Sequence, residues 1–266
     1  MIRHSIRWLA LLGLCSFLFA QPPERSSPFD EAQEFGVYVQ ALEITVEPED
    51  VDRFENAVGT IAREAATSDI GEDHEWILYR AGLHRYWAIL FSEKLQDFDT
   101  MESLRQAFAG TASEVRFQTA VDELLETRFL VESQVITHMV NPWSTVEGMS
   151  TATHPKARVV KYAVKPNRHD EFDAAIRDYV RLLKEIEYPY PIEGFRWQFG
   201  RPGENWLVTF PDNWSDFHGV NDLDTIARQH DAHERLQVIR SRIDNAVRAT
   251  TQHDLDFVAS LSYSSE

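Results

Sequence analysis

The chain has 266 residues, 43% hydrophobic and 26% charged, and its 43 acidic against 26 basic side chains give a net charge of −17. Such an acidic surface repels phosphate backbones and anionic lipid headgroups, which argues against nucleic acid and peripheral membrane binding. The single cysteine, Cys15, lies within the first twenty residues, so the rest of the chain can form no internal disulfide and must be held by a packed core.

In the opening stretch, MIRHSIRWLALLGLCSFLFA, Arg3 and Arg7 precede an apolar run from Leu9 to Ala20. That run is too short for a membrane-spanning helix and polar, Pro-containing sequence follows. The pattern predicts a secretory signal peptide over 1–20, cleaved after Ala20, and a disordered segment over 21–33. It also predicts a periplasmic or secreted destination with no stable membrane insertion after cleavage. An uncleaved anchor is the alternative, because Leu18 stands where a small residue is expected.

From Val37 to Val46 the chain alternates and is rich in β-branched residues, a strand. Pro48 stops it, and Glu49 or Asp50 can cap a helix starting near Val51, whose apolar face carries Val51, Phe54, Val58, Ile61 and Ala65. Two strands follow, EWILYR and RYWAILF, joined by a turn at Ala81-Gly82. A helical region from Thr100 to Glu126 then presents Phe117, Val121 and Leu124, and the strand FLVESQVITHMV closes the unit. The stretch NPWSTVEGMSTATHPKA, 141–157, has the Pro, Gly, Ser and Thr content of a linker.

Beyond it the same order returns. There is a strand over Arg158–Val164, a helix over Asp170–Glu187, strands at FRWQF and NWLVTF, helices over Val220–Val247, and a last strand in LDFVASLSY. The second hairpin contains Arg201-Pro202-Gly203-Glu204, in which Pro202 and Gly203 suit the two central positions of a type II turn. Pro48 and Pro166, and Phe54 and Phe172, lie 118 residues apart. Trp87 and Trp206, and Phe98 and Phe217, lie 119 apart. Matches in order at near-constant offset are the signature of duplication, giving repeats over 34–140 and 158–266, with the recurring residues expected in the core.

Each repeat reads strand, helix, strand, strand, helix, strand, the ferredoxin-like order. A sheet covered on one face only should alternate apolar and polar residues. Tyr86-Trp87-Ala88-Ile89-Leu90-Phe91 and Trp206-Leu207-Val208-Thr209-Phe210 are apolar on both faces. The expected fold is therefore α+β, two ferredoxin-like repeats packed sheet to sheet as an intramolecular barrel with helices outside.

This layout resembles the dimeric α+β barrel superfamily, which includes antibiotic-biosynthesis-type monooxygenases, stress-response barrel proteins and chlorite dismutase-like haem proteins. The resemblance covers nearly all of the chain after the signal, through pattern and repeat rather than a signature motif. It implies that one chain here does what two subunits do elsewhere, as a monomer or weak oligomer. It also implies a small-ligand cleft between sheet and helices or inside the barrel.

Candidate ligand-binding residues are polar groups at which the copies differ. Glu43 and Lys161 are equivalent, 118 apart, and point away from the helices into the barrel, where charges must be paired, solvated or shifted in pKa. Pairing across the pseudo-twofold and the lining of a polar cavity are both open, as is a solvated rim pair without function. His84, His138 and His218 lie at strands or helix starts where histidines serve as bases or ligands. Tyr79, Arg80, Arg196 and Gln198 complete the set, as groups on the inner hairpins. His230 and His233 share a helix face without a third ligand, so no metal site is expected.

No phosphate-binding loop, nucleophile elbow or metal motif is present in the sequence. What the resemblance implies is an exported barrel that binds or transforms a small, aromatic or apolar molecule, in the manner of the monooxygenase-like members. By the same resemblance no metal or flavin is expected, and haem enters only with the second alternative. A non-catalytic exported stress or interaction protein is the alternative. A haem-binding chlorite dismutase-like protein is the second alternative, although its haem-binding segment has no match here.

Overall fold

The computed structural model describes residues 38–68, 70, 74–92, 100–146, 154–200 and 203–264. The signal peptide, the segment over 21–33, Phe98, residues 147–153 of the linker and Arg201-Pro202 lie outside the described residues. Strand β1 spans Tyr38–Val46 and ends at Pro48, which opens a short 3₁₀ turn, Pro48–Asp50, leading into helix α1, Val51–Ser68. Phe54, Val58, Ile61 and Ala65 are buried on one face of α1, as their spacing predicts. The hairpin β2, Trp76–Arg80, and β3, Arg85–Ser92, follows, with Gly82 at φ +98° in its turn. The expected single helical region is two helices, α2, Thr100–Phe108, and α3, Glu114–Glu126, separated where Gly110 takes φ +76°. Strand β4 is Phe129–Met139.

The second repeat supplies β5, Lys156–Val164, α4, His169–Glu185, and the hairpin β6, Ile192–Phe199, with β7, Glu204–Thr209. Gly203 adopts φ +76°, as its place in the turn requires. Helices α5, Trp214–His218, α6, Leu223–Gln229, and α7, His233–Ala246, precede β8, Val247–Phe257. Here expectation and structure differ. β8 is not the apolar LDFVASLSY but the largely polar VRATTQHDLDF, and Arg248 to Gln252 are exposed. Pairing with β5 along nine residue positions, rather than burial, holds these polar residues in a strand.

The strands close into one antiparallel ring in the order β1-β3-β2-β8-β5-β7-β6-β4. Within each repeat the order is ferredoxin-like, and β2 joins β8 while β4 joins β6 to seal the two sheets edge to edge. The sheets therefore share hydrogen bonds as well as facing one another, and all of this lies in one compact unit, Gly36–Glu266. Helices cover the outside. One outer core gathers Phe54, Tyr86, Phe108 and Phe117 over the first repeat, and another gathers Phe172, Ile176, Leu183 and Leu236 over the second. A third cluster fills the interior. The recurring aromatics Trp87, Trp206, Phe54, Phe172 and Phe217 are buried, as expected. Pro48 and Pro166 are instead exposed, because each terminates a strand rather than packing.

Each repeat ends in an arm that crosses to the other. After β4, the 3₁₀ turn Asn141–Trp143 lies along β6, and after β8 the equivalent turn Ala259–Leu261 lies against α1 and β2. Ser144 Oγ accepts the Gly194 N–H at 3.1 Å, and Ser262 Oγ accepts the Leu78 N–H at 2.8 Å. Trp143 and Leu261 are buried in the opposite repeat's outer core, so the start of the expected linker is a structural arm. Gly194 makes this docking feasible, since a Cβ there would lie 2.2 Å from Trp143 Cβ.

Candidate functional site

The inward face of the barrel divides into two zones around one aromatic contact. Trp87 and Trp206, equivalent residues of the two repeats, meet with ring centroids 5.8 Å apart and are nearly fully buried. On one side lies a polar zone. Lys161 Nζ donates to Glu43 Oε1 and stands 4.3 Å from the Trp87 ring centroid and 5.4 Å from that of Trp206. Lys161 is 3% exposed and Glu43 14%, so the pair is enclosed rather than a solvated rim contact. Trp206 Nε1 donates to Glu204 at 2.9 Å, and the His253 ring lies 5.2 Å from Trp87. Burial, reinforced by Lys161, lowers the His253 pKa and so favours the neutral imidazole.

On the other side is a chamber of about 70 Å³. Its walls are Val39, Ile77, Ile89, Ala157, Val159, Val208 and Leu255, with aromatic surface from Tyr79, Phe91, Phe195 and Phe210 in addition to the tryptophan pair. Three polar side chains line it, Tyr79, Thr137 and Glu193. The Thr137 hydroxyl donates to the Val39 carbonyl at 3.3 Å and the Tyr79 hydroxyl to the His154 carbonyl at 3.3 Å. Burial, with the neighbouring Glu193 carboxylate, pushes the Tyr79 phenol well above its usual pKa. The His154 ring stacks on Phe210 at 4.3 Å.

Glu193 is the residue that sequence reasoning missed. It is 1% exposed, and it sits opposite Val208 on β7 just as Ile77 sits opposite Ile89 on β3. Strand β6 is offset from β2 by 116 residues while β7 is offset from β3 by 119, and with that register the exchange of Ile77 for Glu193 would have been visible as a difference between copies.

The same register corrects two candidates. Arg80 and Arg196 are equivalent, and both point outward to the helices. Arg80 pairs with Glu55 on α1 and Arg196 with Asp173 on α4, acids that are themselves 118 apart. Tyr86 donates to Glu55 at 2.5 Å, while Trp143 Nε1 donates to Asp173 at 2.8 Å and lies under the Arg196 guanidinium at 4.7 Å. These are matched strand-to-helix struts and not an interior anion site. Alternation along β4 and β6 also places His138 and Gln198 on the outer face, where the Gln198 amide donates to His138 Nδ1, leaving the other ring nitrogen protonated. His138 is 4% exposed, and burial, then Arg196, lowers its pKa to about 4.

His84 lies in the β2–β3 bend, where its carbonyl accepts the Val46 N–H at 2.9 Å. His218 is exposed and contacts Arg158 at 3.0 Å beside Trp214. The nine candidates thus separate into interior groups, Glu43, Lys161 and Tyr79, an outer cluster, Arg196, Gln198 and His138, a strut, Arg80, and two isolated histidines. Among the described residues no group of three or more metal-ligating side chains converges, and no helix is long and apolar enough to cross a membrane.

No sequence-family profile matches the chain, and neither does any curated protein sequence. Solved structures do resemble it. An anthrone oxidase-like protein superposes with a TM-score of 0.51 at 13% identity, covering 85% of this chain and 92% of that one. A provisionally assigned monooxygenase from Fusobacterium nucleatum gives 0.50 at 8% identity, covering 85% and 94%. A substituted chlorite dismutase from Candidatus Nitrospira defluvii, in complex with cyanide, gives 0.50 at 11% identity, covering 86% and 93%. At these identities the likeness is one of fold, and it places the chain among the ferredoxin-like α+β barrels.

Two measurements check the electrostatics. Glu43→Leu, which strands the Lys161 charge in the interior, should cost about 3–5 kcal/mol, and adding Lys161→Met should recover most of it. Additive losses in the double-mutant cycle would show that the pair is not coupled. For His138, a folded pKa of about 4 against 6.5 for the free ring means that only the unfolded chain takes up the proton between those values. Stability should therefore fall as pH drops from about 6.5 to about 4 and then level, by no more than about 3 kcal/mol from this group. Urea unfolding of His138→Phe should show a correspondingly flatter acid limb than the parent.

Proposed function

We propose that the protein binds a small, largely apolar molecule in the barrel interior, between the Trp87–Trp206 contact and Phe91–Phe210. The chamber carries this reading, since it is apolar and aromatic and has few polar groups, which is the composition of a small-molecule site. Its volume of about 70 Å³ is well below the ~300–1,000 Å³ typical of drug-sized ligands. The ligand is thus a molecule of few heavy atoms. Its enzymatic form would be a monooxygenase-like activity, the kind assigned to the Fusobacterium neighbour, with Glu193 and Tyr79 able to hold a proton at the bound molecule.

Haem does not fit these residues. Both sheet-to-helix layers are filled by buried apolar clusters, the interior chamber is far smaller than a porphyrin, and His138 Nδ1 is tied to Gln198 on the outer face. The same close packing supports the second reading, a non-catalytic barrel whose interior is only a core. The two separate in one experiment. Toluene and 3-methyl-1-butanol at saturating concentration should raise Tm by several degrees, as ligand binding to the native state requires, and quench the fluorescence of Trp87 and Trp206. Ala157→Phe or Val208→Phe, which occupy the chamber, should abolish both effects while leaving a cooperative melt. A response unchanged by both substitutions would remove the interior site.

The proposal includes export. It rests on the charged, apolar and polar regions of the first twenty residues. N-terminal sequencing of the protein recovered from its host's cell envelope should begin at Gln21; an intact Met1 there would overturn cleavage, and recovery from the cytoplasm alone would overturn export.

A further inference from the structure

The interior already shows how this barrel stabilises an ammonium group. Lys161 Nζ lies over the faces of Trp87 and Trp206 and is paired with the Glu43 carboxylate, all with 3% of the lysine exposed. An aromatic face and a carboxylate together replace the water that the cation has lost. The chamber on the other side of the tryptophan pair offers the same two elements. Its aromatic surface comes from Tyr79, Phe91, Phe195 and Phe210, and its carboxylate from Glu193, 1% exposed and lining the space directly. In the first repeat the position of Glu193 is held by Ile77, so the fold itself does not demand an acid there.

Charge points the same way. Glu43, Glu193 and Glu204 are buried or nearly so among the inward side chains, whereas Lys161 is the buried cation among the described ones. A carboxyl group offers acceptor positions for several donors, so the interior favours an incoming donor over an anion.

Resting on the interior-site reading, we infer that the chamber is selective for a small organic amine, its ammonium on Glu193 and its alkyl or aryl part against the aromatic walls. The class is set by the carboxylate and the rings, and the size by the chamber.

The test compares three molecules with one carbon skeleton at pH 7, 3-methylbutylamine, 3-methyl-1-butanol and 3-methylbutanoate, titrated into the full chain by calorimetry and tryptophan fluorescence. The amine should bind at least ten-fold tighter than the alcohol and the acid more weakly than either. Glu193→Gln should bring the amine down to the affinity that the same variant shows for the alcohol. Glu193→Ile, which installs the side chain of the other repeat, should do the same and is the safer variant for folding. Equal affinity for amine and alcohol, or an amine preference that survives both substitutions, overturns the inference while the interior site stands. Failure of all three to bind overturns the interior site and the inference together.

Discussion

Closure of the sheet governs the rest of this structure. A four-stranded ferredoxin-like sheet has two exposed edges, each a row of unpaired N–H and C=O groups. In this chain β2 of the first repeat pairs with β8 of the second, and β4 with β6, so the edges satisfy one another. Once the ring is closed, alternate residues along the strands, apart from the exposed stretch Arg248–Gln252 of β8, face the interior. Apolar residues there are stabilised by burial, and polar ones need partners that the interior must itself provide. That is why Lys161 lies between two indole rings and a carboxylate, and why the Tyr79 and Thr137 hydroxyls bond to backbone carbonyls.

The crossing arms reinforce closure from outside. Trp143 belongs to the first repeat in sequence but to the outer core of the second in space, and Leu261 makes the reverse exchange. Neither outer core is complete without the other repeat. The serine contacts to Gly194 and Leu78 repeat this dependence in hydrogen bonds, at equivalent positions on the two hairpins.

Much of this layout was legible in the chain. Spacing of 118 and 119 residues exposed the duplication, and strands apolar on both faces, such as Tyr86 to Phe91, required a second sheet. The inward direction of Glu43 and Lys161 followed from alternation along their strands, and their pairing is seen. What alternation could not supply was local register. A change of offset to 116 residues, confined to β2 and β6, hid the equivalence of Arg80 with Arg196 and of Ile77 with Glu193. It therefore made two helix struts look like interior groups and concealed the buried carboxylate. The polar strand β8 escaped for another reason. Its pairing with β5 is long-range, 83 residues apart in sequence even at the nearest pair, Val164 and Val247, and composition carries no trace of such a partner. The chamber lies in the same blind spot, since cavity volume depends on how rings such as Trp87 and Trp206 settle against each other.

Carrying both repeats in one chain has a chemical consequence that symmetry would forbid. In a barrel made from two identical subunits, an inward residue appears twice, related by the twofold axis. A glutamate at position 43 would then face another at the place of Lys161, and two like charges enclosed in a low-dielectric interior repel strongly. With both halves in one chain the equivalent positions can diverge, so that Glu43 meets Lys161, Val135 is answered by His253, and Ile77 by Glu193. Opposite charges can then compensate across the axis on one side of the tryptophan pair, while a single carboxylate, rather than two, faces the chamber on the other. The interior can be polar because it is asymmetric, and it can be asymmetric because both halves are encoded together.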